Sequence, residues 1–384
     1  MTRERIARAA GAVCDVAAFA IPTTIYIATA SQEPASWDTA ELQGVPYILG
    51  ISHPTGFPFF VLLGYVWSHV VAIGTIAFRM NAMSAVCLGI AAVTAYAVAL
   101  RLGASRTIAL LATLWYAFTQ NVWSHANRAE AQDLAVTCET LAIYAFLRWL
   151  QGDDERWFAG AFALYGLGMA AHPNALWLLP AFVVGALTAR TRPSWRLVAV
   201  SAALTIAGLA FYLYLPLRSA YIVAHGLDPA LALGTNGGIF WNYNNPSSPG
   251  GLLIDLSGKE SNALTYVLAS FNPVHIQDAL WAFIQSLAEQ YGAYVVALTF
   301  VGLVIAWRRD WRTTLFLCLA CTVALVFSVT YTEEGDIGRY RLLALWLAVP
   351  LVAAIVPRDA AGWKYALARV AMIAFLAGGT FVTA

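Results

Sequence analysis

Charge is scarce in this chain: 11% of its 384 residues are Asp, Glu, Lys or Arg, against 60% hydrophobic residues. With a mean hydropathy of +0.67, such a composition excludes a soluble globule and reads as a polytopic membrane protein. A formal net charge of +1, with basic residues scattered singly or in small groups, gives no field for nucleic acid. Lysine is scarce beside arginine and alanine is abundant. That bias points to a GC-rich bacterial genome, and so to the bacterial cytoplasmic membrane. The five cysteines (Cys14, Cys87, Cys138, Cys318, Cys321) all fall in apolar runs. Cys318 and Cys321 have the C-x-x-C spacing of a redox or metal pair but neither a second pair nor a polar shell, so they read as packing. The first apolar run is too long, and lacks the small-residue cleavage site, for a removable signal peptide. No internal repeat or second soluble domain is visible, and residues 1–384 read as a single transmembrane domain.

Runs approaching the roughly 20 apolar residues that a span requires recur at about 6–30, 81–100, 107–123, 134–150, 157–171, 175–189, 197–217, 291–307, 313–331, 340–356 and 363–383. They predict an all-α bundle of about eleven spans. A twelfth run, 57–77, decides the topology. If it crosses, Arg101 with Arg106, Arg190 with Arg192 and Arg196, and Arg308 with Arg309 and Arg312 all fall on the side opposite Arg3, Arg5 and Arg8, against the positive-inside pattern. Its Pro54, Pro58, Gly56, Gly64 and His69 suit an interfacial helix better than a clean span. Residues 31–79 are therefore expected to form a first extracytoplasmic loop with interfacial helices, and 218–290 a second loop, rich in Asn, Gly, Pro and Ser, that covers the site as a lid or acceptor shelf.

This topology gathers the ionisable residues on one face: Asp38, Glu41, His53, Arg128, Glu130, Asp133, His172, Arg218, and the stretch Glu333 to Tyr340 with Asp336 and Arg339. Each has a bland alternative. Asp38 and Glu41 can form a capping box, with Asp38 as N-cap and Glu41 reaching back to its amide. Glu130 and Asp133 can be solvated acids complementing a helix dipole. His172, before Pro173, can be a turn histidine, Arg218 a snorkelling arginine, and Gly335-Asp336-Ile337-Gly338 a turn. Convergence favours a site: charges collected at one bilayer face beside one long loop are costly unless used.

The order W-D-x-x-E from Trp37, L-G-x-x-H-P-x-G-F-P-x-F from Leu49, N-R-A-E-A-Q-D-L from Asn127, G-L-x-x-x-x-H-P-N from Gly166 and Y-L-P-L-R-S from Tyr214 resembles the transmembrane protein 260-type protein O-mannosyltransferases and their bacterial relatives. More widely, it resembles the GT-C superfamily of polyprenyl-phosphate-sugar glycosyltransferases. The likeness is strong from Asp38 to Ser219, with a fainter echo from Asp336 to Tyr340. Thr55 stands where relatives often carry a second proline, and the large extracytoplasmic C-terminal domain of some relatives is lacking, which leaves acceptor recognition the least transferable feature.

The resemblance implies a GT-C-type bundle that takes a sugar, mannose or another hexose, from a polyprenyl-phosphate donor and passes it with inversion to an extracytoplasmic acceptor, a Ser or Thr hydroxyl of protein. It implies Asp38 as general base and Glu41 as the residue orienting base or acceptor. His53, Arg128, Glu130, His172, Arg218, Asp336 and Arg339 would surround donor phosphate and substrate, with Arg218 and Arg339 foremost because a guanidinium can grip phosphate bidentately. No cofactor is expected, although Asp38, Glu41 and His53 could hold a divalent metal. The partners are the lipid-linked sugar, a protein or glycan acceptor and membrane lipids. Two other readings stand beside this one: the same chemistry on a glycan or lipid acceptor, and a transporter or lipid-binding protein. A transporter should show mid-span acids and broken helices in matched halves.

Overall fold

The computed structural model describes residues 3–230, 233, 238, 240–258, 262–331, 336–359 and 362–383, without the side chains of 3–10, 263 and 380–383. Glu333, Glu334 and Gly335 lie outside the described residues, as do the side chains of Arg3, Arg5 and Arg8. The protein is all-helical; no strand occurs among the described residues, only isolated bridges such as Ile51 with Asn242.

Each apolar run of the sequence becomes helix. The first half comprises α1 (Arg3–Thr29), α2 (Trp37–Ile48), α3 (Pro58–Val70), α4 (Ile76–Arg101), α5 (Arg106–Ala117), α6 (Gln120–Ala126), α7 (Ala131–Leu150), α8 (Arg156–Ala171) and α9 (Leu179–Thr188). There follow α10 (Trp195–Leu209), α11 (Tyr214–Ala224), α12 (Pro249–Ser257), α13 (Ala263–Ala269) and α14 (Val274–Tyr291). The chain closes with α15 (Ala293–Arg309), α16 (Trp311–Thr322), α17 (Ala324–Thr330), a 3₁₀ turn (Ile337–Arg341), α18 (Leu342–Ala353) and α19 (Trp363–Thr383). Among the described residues, four helical stretches are long and apolar enough by themselves to cross a membrane: Gly11–Thr29, Ile76–Arg101, Trp195–Ala224 and Trp311–Thr330.

Boundaries follow local chemistry. Thr75, Ser105 and Ser194 each accept a backbone N–H from the first turn of the helix they open, the usual N-cap device. His172 precedes Pro173, which disfavours helical geometry, and α8 stops there with His172 extended at φ −159°. α18, apolar all round, is buried along its whole length, as such a helix must be, and Trp346 within it donates to Ala91 O at 2.8 Å. Where α8 crosses α10 the backbones nearly touch: a Cβ added at Gly166 would lie 2.5 Å from Thr205 O, the small-residue approach by which membrane helices gain contact.

The direction of the helices gives the bundle two distinct ends. α7 begins beside Asp38 and the His53 loop, as described below, and finishes about 30 Å away at 1.5 Å per residue. There Arg148 Nε and Arg101 Nη2 share Asp153 at 2.6 and 2.7 Å. α3, with 13 residues, reaches only about 20 Å, short of the roughly 30 Å hydrocarbon core. Single cysteines at Trp37, 90% exposed, and Ile73, 70% exposed, should therefore react with an impermeant thiol reagent from the same side of the membrane. Labelling from opposite sides would mean that 37–73 crosses.

Candidate active site

Asp38 sits in the first turn of α2, but the helix is not opened by a capping box. Ser36 is the N-cap residue and makes no side-chain cap bond, and Trp37 behind Asp38 is in the left-handed region at φ 55°. Glu41 does not reach back to the helix start. It is buried and turned toward the loop after α2, where its Oε1 accepts from Ser52 Oγ at 3.1 Å and from the His53 amide at 2.7 Å, and its Oε2 meets His53 Nδ1 at 2.5 Å. The physical reason is competition: two donors and an imidazole outbid a single helix-end amide for a buried carboxylate. Only 7% of the Glu41 side chain is exposed, whereas 43% of Asp38 is. The two acids thus have different tasks, one pinning the H-P-x-G-F-P loop and one open to solvent.

Arg339, in the 3₁₀ turn before α18, brings the distant parts together. Its Nη1 lies 3.5 Å from Glu130 Oε1, its Nη2 4.0 Å from Asp38 Oδ2, and its Nε donates to Asp336 O at 3.2 Å. The two ion pairs are longer than ordinary hydrogen bonds. Asp336 is itself clamped by Arg128, which also meets His125 Nε2 at 2.9 Å. Burial works against the charge on Asp336, yet His125, Arg128 and Arg339 hold its carboxyl below the usual range.

Glu130 and Asp133 are not solvated helix-end acids: both are buried. Glu130 occupies the N-cap position of α7, and its amide donates to Ser84 Oγ at 3.2 Å. Asn81 Oδ1 takes the neighbouring Ala129 amide at 2.8 Å and Gln43 Nε2 at 3.0 Å, tying α2, α4 and the start of α7 into one polar layer.

Phe57 lies between two imidazoles, edge-on to His53 at 5.0 Å and stacked on His172 at 5.3 Å with planes 9° apart. The histidines differ electrically. For His53, burial works against protonation, but the bond to Glu41 and the charges of Glu41, Asp38 and Glu130 outweigh it and raise the pKa above 6.5. The stability gained from the Glu41–His53 pair is therefore complete below about pH 6.5 and is lost as pH rises through the raised value. For His172, burial, with Arg339 and His53 as like charges, lowers the pKa to about 3. It is a neutral acceptor, and its Nδ1 takes the Asn174 amide at 3.1 Å.

Against this cluster opens a cavity of about 120 Å³, lined on its polar side by His53, His172, Asn174 and Arg339 and on its apolar side by Trp177, Val267, Phe327 and Tyr331. Such a half-charged, half-apolar wall can accept an anion joined to a hydrophobic tail. Asp38, Glu41 and His53 also offer ligand atoms within 4.8 Å of one another, a set of the right type for a divalent ion, although Glu41 and His53 already engage each other.

Of the residues singled out in the sequence, Asp38, Glu41, His53, Glu130, His172 and Arg339 come together, with Arg128 and Asp336 as a pair immediately behind. Arg218 does not join them. Its Nε and Nη2 donate to the carbonyls of Leu49 and Ile48 at 2.7 and 3.2 Å, and its guanidinium lies 5.0 Å from the Tyr221 ring. It caps the C-terminus of α2, where the orphan carbonyls attract a cation. Phe57 and His125 also belong to the site, and His125 carries no distinguishing mark in the sequence. The one available signal for Phe57 was its place inside the H-P-x-G-F-P run.

Residues 38–195 match the family described as the protein O-mannosyl-transferase TMEM260 N-terminal domain. A relative from Dictyostelium discoideum named protein O-mannosyl-transferase tmem260 is 29% identical over 119 residues, 30% of this chain and 14% of that protein. The Mus musculus protein O-mannosyl-transferase TMEM260 is 28% identical over 119 residues, 31% of this chain and 17% of that protein. Those two matches span less than a fifth of either relative, while the family match at residues 38–195 covers the segment that supplies Asp38, Glu41, His53, Arg128, Glu130 and His172. Over residues 38–195 the chain is thus similar to the N-terminal domain of the TMEM260-type protein O-mannosyltransferases.

Proposed function

We propose that this protein is a membrane glycosyltransferase that moves a sugar, mannose or another hexose, from a polyprenyl-phosphate donor to a Ser or Thr hydroxyl of protein, with inversion at C1. The observation that carries this reading is Arg339 held at the cavity wall between the open carboxylate of Asp38 and the buried Glu130. The acceptor hydroxyl attacks C1 as the bond from C1 to the phosphate oxygen breaks. Asp38 takes the hydroxyl proton, which a neutral alcohol must lose to be an effective nucleophile. The electron pair leaves with the polyprenyl phosphate, and Arg339, with His53 beside it, meets the charge that develops there. Glu41 acts through His53 and the loop. Arg128 and Asp336 position Arg339, and Arg218 fixes the far end of α2. The apolar side of the cavity fits an isoprenoid tail.

The direct test supplies purified protein with a polyprenyl-phosphate mannose and a Ser/Thr peptide. Label should move to the peptide only when both are present. Transfer to glycan or lipid but not to peptide would shift the acceptor class, and failure to use any polyprenyl-phosphate sugar would sink the reading.

Metal enters the same assay. Because Arg339 faces Asp38 and the imidazole of His53 faces Glu41, neither acid depends on a divalent ion for its counter-charge, and the chemistry needs none. Transfer should persist within about twofold after exhaustive chelation, an expectation from the charge pairing in the site. A loss restored by a divalent cation would instead place a metal among Asp38, Glu41 and His53.

A further inference from the structure

A second polar recess, of about 410 Å³, lies at the far end of the bundle, where α7 and α9 finish and α8 and α16 begin. Sugar transfer as proposed makes no use of it. Arg190, Arg192 and Arg312 line it together with Asp153, Glu155 and Asp310. Two of these acids are already engaged. Asp153 accepts from Arg101 and Arg148. Asp310 caps α16, accepting from the amides of Arg312 and Thr313 and, at 2.6 Å, from the Thr313 hydroxyl. Counting Arg101 and Arg148, five arginines face three acids around the recess, and of the acids only Glu155 is exposed without such a partner among the described residues.

The arginines are not equivalent. Arg312 Nε donates to Thr188 O at 2.8 Å, which holds it at the back wall against the end of α9. Arg190 and Arg192 stand two residues apart on the turn after α9, exposed, with no side-chain hydrogen bond or ion pair among the described residues. Their planar forks are complementary to phosphate oxygens.

Depth supplies the second line of argument. Trp195, Trp307 and Trp311 are all exposed at this same end of the bundle, at the starts of α10 and α16 and the end of α15, an arrangement that marks headgroup level. Below Trp195 the outer face of α10 is apolar and open, with Val198, Val200 and Ile206 exposed. A phosphate seated on Arg190 and Arg192 would therefore have water on one side and a surface for acyl chains on the other.

We propose that this recess binds the phosphodiester of an anionic phospholipid, gripped by Arg190 and Arg192 with Arg312 behind them. Basic pockets between membrane helices take such headgroups because each arginine near the surface adds attraction while the lipid remains in its leaflet. The site is built from the ends of four helices, so its occupant braces the end of the bundle opposite the transfer chemistry.

The experiment is native mass spectrometry of the full-length protein in detergent, titrated in separate arms with phosphatidylglycerol, phosphatidylcholine and inorganic phosphate. Wild-type protein should bind phosphatidylglycerol in preference to phosphatidylcholine. The double variant Arg190→Gln/Arg192→Gln should bind phosphatidylglycerol about thirtyfold more weakly with unchanged phosphatidylcholine binding, and inorganic phosphate at millimolar concentration should not displace the lipid. Both side chains are exposed, so the variant keeps its fold, and Arg190→Lys/Arg192→Lys should recover part of the affinity. Undiminished phosphatidylglycerol binding by the Gln variant would overturn the site, equal affinity for phosphatidylcholine would overturn its preference for anionic lipid, and displacement by inorganic phosphate would reassign it to a soluble anion.

Discussion

Replacing Asp38 by Asn should leave a folded protein that still binds its lipid donor and transfers sugar about a hundredfold more slowly or worse, the usual range for loss of a general base. The geometry makes the substitution clean. Asn has the same shape and the same hydrogen-bonding reach but cannot take the acceptor proton. Asp38 lies in the first turn of α2, so its charge contributes to the helix dipole, an effect of about 0.3–1 kcal/mol that thermal unfolding would register as a small shift. It is not the N-cap, and its ion pair with Arg339 is long at 4.0 Å. A rate defect far larger than the stability defect is thus the expected pattern. Near wild-type turnover in the purified variant would remove Asp38 from the chemistry. Glu41 would then be the next acid to test, even though its two oxygens are occupied by Ser52 and His53.

At the phosphate end the largest effect should fall on Arg339 rather than on Arg218. Arg339→Gln leaves Glu130 and Asp38 facing each other without their shared cation. Removing one partner of a buried ion pair costs about 3–5 kcal/mol, enough to prevent folding. Arg339→Lys avoids that ambiguity. The ammonium keeps the charge between the two carboxylates but loses the fork that can face carboxylates and a phosphate oxygen at once. Transfer in the Lys variant should fall about 10²–10³-fold, as for removal of a preorganised oxyanion donor, with an unfolding midpoint close to wild type. Arg218→Lys should instead keep donor use and loosen the end of α2. The converse result, with Lys tolerated at 339 and donor use lost at 218, would move the phosphate to the other arginine and require the α2 cap to open during binding.

Much of this fold was legible in the sequence because apolar runs and helix-capping residues are local signals. The runs at 81–100, 134–150 and 157–171 became α4, α7 and α8 with only slight extension, and the Gly and Pro content of 50–58 marked the loop between α2 and α3. Asp38, Glu41 and His53 could be grouped because they lie within sixteen residues of one another. What could not be read was pairing across the chain. The Arg128–Asp336 clamp joins residues 208 apart, and the choice between Arg339 and Arg218 depends on which backbone carbonyls each guanidinium meets, which no spacing encodes. Burial was also hidden. Glu130 and Asp133 look like ordinary acids of a helix N-terminus, yet both are buried, Glu130 facing the distant Arg339.

The position of Arg339 bears on modularity. The family match stops at residue 195, yet the guanidinium that faces Asp38 and Glu130 comes from the last quarter of the chain, and the α2 cap comes from Arg218. The matched segment supplies an acid-rich half-socket whose counter-charge is delivered from elsewhere, so it does not complete the charge pairing of this cluster by itself. Any recombination that exchanges the C-terminal helices would change the electrostatics at Asp38 without touching a residue of the matched segment.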